Sequence, residues 1–182
     1  MLLVKEKFCY TLPGSQINKP VQKIIVTGIN MSTFTIENKQ LIQVFIDEVI
    51  NKKNLLALRD FIDPSIDGKL ENVFTFQGIN YVQVLLHMIF DTLPNFKIVI
   101  EHLSANGDRV TAQIDISDHL LMEQNLSGNP NLHTFRIEWG KIVQYWGTLP
   151  IKIPHQTLEM LENPKDVEGL IQTYGYPTIP LE

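Results

Sequence analysis

Between Pro94 and Leu149 the chain carries four runs of β-branched or alternating character, "FKIVIEHL", "RVTAQIDISDHL", "LHTFRIEW" and "KIVQYWGTL". Two of the connections, "SANGD" and "EWGK", have hairpin length and hairpin chemistry. A parallel crossover needs a dozen or more residues, so strands joined this closely pair antiparallel with their sequence neighbours. A sequentially paired antiparallel sheet is therefore expected in the second half of the chain, and the first half must supply the layer that covers it.

That layer reads as helical. From Thr35, where a helix cap is expected, Leu41, Ile42, Phe45, Ile46, Val49 and Ile50 form two adjacent i,i+4 rows, a broad apolar stripe. A second, short helix runs through Leu55, Leu56, Leu58 and Phe61, with Pro64 as its expected stop. An edge strand is expected near Ser65 to Leu70. Gly78 then precedes a third helix, in which Val82, Leu85, Leu86, Ile89, Phe90 and Leu93 recur at helical spacing until Pro94.

Three helices followed by antiparallel strands make an α+β arrangement with the sheet curving over the helices. Residues 35–149 form the expected domain. Residues 1–34 form an N-terminal arm with one candidate strand, "VQKIIVTGI", and residues 150–182 a C-terminal extension with two candidate short helices, "HQTLEMLEN" and "PKDVEGLIQTYG". The apolar residues of that extension, Ile171 among them, predict that it packs back on the domain.

Charge and motif searches narrow the function classes. With 15 basic against 20 acidic residues and no Lys/Arg cluster, a surface that tracks phosphates is not expected, which argues against nucleic acid as a partner. No apolar run approaches the ~20 residues of a membrane span, and Lys5, Glu6 and Lys7 interrupt the start of the chain, so a cytoplasmic protein without membrane contact is expected. Cys9 is the single cysteine and has no neighbouring base to activate it. The Gly-x-Ser-x-Gly, Gly-Lys-Ser/Thr and Gly-x-Gly-x-x-Gly signatures are all missing.

The segments "NKQLIQVFIDEVINKKNLLALRDFIDP", "TLPNFKIVIEHLSANGDRV" and "FRIEWGKIVQYW" are similar to the opening helices, the proline-led strand and the closing hairpin of the SnoaL-like polyketide cyclases, within the nuclear transport factor 2 superfamily. The resemblance spans roughly Thr35 to Leu149. It implies a cone-shaped fold with a pocket inside, acid/base chemistry on a small, largely apolar carbonyl compound, no cofactor, and pairing into a homodimer through the outer sheet face. Three residues before the hairpin arginine, here Arg136, the family carries an acid/base aspartate, and this chain has His133. At the end of the long strand the family carries a histidine, which His119 approaches to within about one residue. Gly147 stands where an aspartate often follows the last tryptophan.

Strand parity weighs these residues independently. His133 shares a face with Phe135 and Ile137, so it points where apolar side chains point. It is either a packed core histidine or a pocket group capable of proton transfer, with Phe135 as pocket wall. His119 falls opposite Ile114 and Ile116, toward solvent unless a bulge reverses it, and Asp118 takes the other parity. His102 shares parity with Phe96, Ile98 and Ile100 and is a third inward candidate. A metal site is not expected, because no short ligand pair such as His-x-x-x-His is present. Trp146 follows Ile142 and Gln144 on one face, with Tyr145 on the other, and one of these rings should line the cone or an outer sheet face. Tyr81, near the start of the third helix, reaches either the cone mouth or the core.

Two functions remain open at this point. One is a cyclase- or isomerase-like enzyme with His133 as base and His119 or Asp118 as donor. The other is a non-catalytic ligand-binding or dimeric interaction module that keeps the cone without the acid/base constellation.

Overall fold

In the computed structural model of the chain, residues 31–70, 74–116, 131–148, 169 and 171 are described. Helix α1 (Met31–Phe45) continues into a π-helical turn (Ile46–Asn51), and a 3-10 turn (Leu55–Ala57) leads into the short helix α2 (Leu58–Phe61). Strands β1 (Ile62–Leu70) and β2 (Phe74–Gln77) precede helix α3 (Ile79–Thr92). Strands β3 (Ile98–Asn106), β4 (Arg109–Ile116), β5 (Asn131–Glu138) and β6 (Lys141–Gly147) complete the fold.

The six strands form one sheet in the order β2-β1-β6-β5-β4-β3. The expected hairpins β3–β4 and β5–β6 and the β4–β5 pairing are antiparallel. The expectation of a wholly antiparallel sheet is corrected at one seam, because β1 runs parallel to β6. The long stretch containing α3 and four strands lies between them, which satisfies the requirement for a parallel crossover. Strand β2 is a second correction: the chain turns back on β1 and pairs Gly68 with Phe76.

Pro64 does not end α2. It lies inside β1, where the pairing with β6 skips from Ile62 to Asp67, and a strand tolerates proline at such an irregularity. Gly78 caps α3 with φ at +90°, a conformation that favours glycine, while its N–H donates to the Ile66 carbonyl at 2.8 Å. Trp139 and Gly140, with φ of 54° and 73°, form the tight turn between β5 and β6.

The helices are fastened to the sheet by apolar burial and a few polar clamps. The Asn51 side chain donates to the Ile98 carbonyl at 3.0 Å and accepts from the Ile98 N–H at 2.8 Å, fixing where β3 begins. Ile42, Val49, Leu58, Ile66, Leu70, Val84, Val110 and Ile142 are among the most buried side chains. Helix α3 buries residues around most of its circumference, including Gln83. Ile171 is 4 % exposed and belongs to the same core cluster, so at this residue the C-terminal extension packs back on the domain. The strand candidate "VQKIIVTGI" and the helix candidate "HQTLEMLEN" lie outside the described residues.

Candidate functional site

The sheet and helices line a partly open cavity of about 100 Å³, walled by residues such as Phe45, Ile66, Leu86, Phe96 and Phe135. Of the described residues that line it, His133 and Tyr145 alone carry polar side-chain atoms. An apolar cavity of ~150 Å³ holds a benzene molecule, so this smaller space suits a ring of no more than about five atoms.

His133 reaches the cavity because β5 alternates without interruption, with His133, Phe135 and Ile137 buried. Tyr145 reaches it because β6 does not. Arg136 pairs with Gln144 and Ile137 with Ile142, so Val143 is an extra residue that reverses the parity of all that follows. Tyr145 and Gly147 therefore join Ile142 on the inner face. Phe135 faces Tyr145 and His133 faces Gly147 across the ladder. The Tyr145 side chain leans diagonally over Gly147 to reach His133, a reach that long aromatic side chains have across strands.

The Tyr145 hydroxyl and His133 Nδ1 are 2.7 Å apart. His133 Nε2 is buried and has no hydrogen-bond partner among the described residues. Burial lowers the His133 pKa to about 4, so the imidazole is neutral at pH 7, and burial also raises the Tyr145 phenol above its usual range. Two neutral groups share one hydrogen bond, in one of two directions. If the phenol donates to Nδ1, the imidazole carries its proton on Nε2 and a single N–H is left without a partner. If Nδ1–H donates instead, both the phenolic proton and the Nε2 lone pair are left unmatched. The first arrangement leaves fewer buried polar groups unpaired and is favoured for that reason. His133 then presents an N–H donor to an otherwise apolar space.

The other residues singled out in the sequence separate clearly. Phe135 lines the cavity, as expected. His102 is corrected to the exposed outer face: the β3–β4 register shifts between Ile100 and His102, and the extra residue, Glu101, undoes the alternation on which an inward position rested. Trp146 is corrected likewise, because the Val143 bulge turns it outward beside Thr134, and the Arg109 guanidinium lies 5.2 Å from its ring centre. Tyr81 is a core residue, 2 % exposed and stacked on Phe76 at 5.3 Å. His119 and Asp118 lie outside the described residues. Among the described residues no group of three or more His, Cys, Asp or Glu could hold a metal ion, and no helix is long and apolar enough to cross a membrane.

Tyr145 and Gly147 were not expected as a unit with His133. Strict alternation along "KIVQYWG" hides them, and no residue in that string announces a bulge.

A family model described as SnoaL-like polyketide cyclase matches residues 40–149. None of the curated proteins matches the chain. Among solved structures, the proposed SnoaL-like polyketide cyclase from Jannaschia sp. CCS1 aligns with a TM-score of 0.56 at 17% identity, covering 66% of this chain and 90% of that one. An epoxide hydrolase of M. tuberculosis, similar to limonene-epoxide hydrolases, aligns with a TM-score of 0.50 at 11% identity, covering 80% of this chain and 97% of that one. At such identities the likeness is one of fold.

Proposed function

The chain belongs to the SnoaL-like polyketide cyclase family, and from that premise we propose that it binds a small, largely apolar carbonyl compound in its cavity and polarises the carbonyl oxygen through the Nε2–H of His133. The observation that carries this reading is the unpartnered, buried Nε2 in a cavity with apolar walls. An unpaired buried donor costs ~1–3 kcal/mol, which a ligand oxygen recovers. A donor held at a carbonyl oxygen also stabilises negative charge that develops there when a proton leaves the α-carbon, the step shared by enolisation, isomerisation and aldol-type ring closure.

This assignment makes His133 the donor and not the base. A neutral imidazole that takes up a proton only near pH 4 is a poor acceptor for an α-proton at pH 7, and a good hydrogen-bond donor. Turnover then requires a base from elsewhere, and the candidates are His119, which the family resemblance offers, and Asp118, which takes the opposite strand parity. A second reading, ligand binding without turnover, is favoured by the lining itself, which contains no carboxylate among the described residues.

Cyclopentanone tests both. It should bind about tenfold more tightly than methylenecyclopentane, which has its shape without the oxygen, and the difference should vanish in His133→Phe. Accelerated exchange of the α-protons of cyclopentanone in heavy water would favour the enzyme, and binding without exchange the carrier. Equal affinity for ketone and hydrocarbon would remove the polarising role of His133.

A further inference from the structure

We propose that Gly147 is a positioning residue and Tyr145 a specificity-determining one: the bare Cα of Gly147 lets the Tyr145 hydroxyl reach His133 Nδ1, and that bond holds the imidazole with its N–H toward the cavity, so the site selects ligands that bring an acceptor. The ligand half of this inference rests on the reading of the cavity as a carbonyl site. The tautomer half does not.

The geometry around Gly147 is specific. A Cβ on this residue would lie 2.3 Å from the Tyr145 hydroxyl oxygen, 2.7 Å from Cζ of the same ring and 2.7 Å from His133 Nδ1. Carbon atoms do not approach oxygen or nitrogen so closely without a bond between them, so no side chain coexists with the hydrogen bond as it stands. Backbone conformation is not the reason for glycine here, because the positive-φ glycines of the described residues are Gly78, Gly107 and Gly140. The reason is space, and the space is occupied by the meeting point of the two polar side chains.

The Tyr145 ring cannot simply back away. It packs at 5.4 Å from the Phe135 ring and 6.3 Å from the Phe76 ring, and Phe76 in turn stacks on Tyr81. Phe76 itself lies over Gly68, where a Cβ would come within 1.9 Å of its ring, and Gly68 is the β1 partner of Tyr145. Two bare Cα positions on neighbouring strands thus seat the aromatic rings that carry the hydroxyl to Nδ1. With a methyl group at 147 the phenol and the imidazole must part, at a cost in ring packing, and Nδ1 loses its donor.

The consequence for ligands follows from the hydrogen-bond inventory. A ring that accepts at Nδ1 carries its proton at Nε2, and this N–H welcomes a carbonyl, ether or epoxide oxygen. A ligand whose polar group is itself an N–H meets the ring N–H head-on, donor against donor, among apolar walls. Without the phenol, Nδ1 has no donor to hold it unprotonated, and the imidazole can present either nitrogen in either form.

Nitrogen NMR of the full chain with labelled histidine reads the tautomer directly, before any ligand is added. At pH 7 His133 should show a protonated Nε2 and an unprotonated Nδ1, and both Tyr145→Phe and Gly147→Ala should move the two signals toward a mixed state. A protonated Nδ1 in the native chain, or signals unchanged in the two variants, overturns the proposal. Should Gly147→Ala fail to fold, Tyr145→Phe, which keeps the ring packing, decides alone. For ligands, cyclopentanone should be favoured over pyrrole by about tenfold in the native chain and by less than about threefold in Tyr145→Phe. Equal affinities in the native chain overturn the selectivity. If neither compound binds while the tautomer is as stated, the carbonyl reading of the cavity fails and the positioning by Gly147 stands.

Discussion

Lowering the pH from 7 to 4 should destabilise the fold through His133 in particular, and the size of the effect follows from its burial. In the unfolded chain this imidazole titrates at its ordinary value of 6.5, and in the fold burial lowers it to about 4. Between those two values the unfolded chain binds a proton that the folded chain refuses, so stability falls as the pH falls through that window. Above 6.5 the contribution is complete, and below 4 no more of it is lost. At about 1.4 kcal/mol per pH unit the loss amounts to about 3 kcal/mol at pH 4, or roughly 10 °C in melting temperature for a chain of this size. The measurement is urea unfolding of the native chain and of His133→Gln, each at pH 7 and at pH 4. The variant lacks the titrating group, so the difference between the two proteins should narrow by about 3 kcal/mol on acidification. Subtraction removes the carboxylates, and it removes His87, whose pKa burial also lowers. Parallel loss of stability in both proteins, or a His133 titration midpoint near 6.5 by NMR, would refute the argument, since either means that the ring is solvated in the fold.

Two further outcomes are expected. Ile171→Ala should cost about 2–4 kcal/mol in unfolding free energy, because this residue of the C-terminal extension is buried with the core, and a cost below about 0.5 kcal/mol would mean that the extension is not held there. The outer sheet face exposes Val99 and Leu132, and a second copy of the chain covering it would give a dimer, so sedimentation at micromolar concentration that finds only the 20.9 kDa species would remove the expected pairing.

What could be read from the sequence follows strand regularity closely. The run "LHTFRIEW" alternates without a break, and parity alone placed His133, Phe135 and Ile137 on the inner face where the structure has them. The third helix was legible for the same reason, its apolar residues repeating at the helical period. His102 and Trp146 were misplaced because each follows an extra residue, Glu101 in β3 and Val143 in β6, and one inserted residue exchanges the two faces of everything after it. Both inserted positions hold residues common in ordinary strands. The parallel seam between β1 and β6 was hidden for a different reason: it joins segments some eighty positions apart, and nothing local in "SIDGKL" selects a partner at that distance.

The Val143 bulge does more than bend an interior strand of the sheet. Without it, Gln144 and Trp146 would stand on the inner face with Ile142, and Tyr145 and Gly147 would face outward, leaving His133 paired with Trp146 and without a phenol in reach. The imidazole would lose the phenol that now satisfies Nδ1, and a buried group left without its partner costs about 1–3 kcal/mol. One extra residue therefore brings the phenol of Tyr145 to the imidazole, and it also moves Trp146 to the place where Arg109 meets its ring. The site depends on this local irregularity as much as on the identity of His133. Changes that lengthen or shorten β6 on the turn side of Tyr145 should therefore abolish ligand selectivity even where every cavity-lining residue is retained.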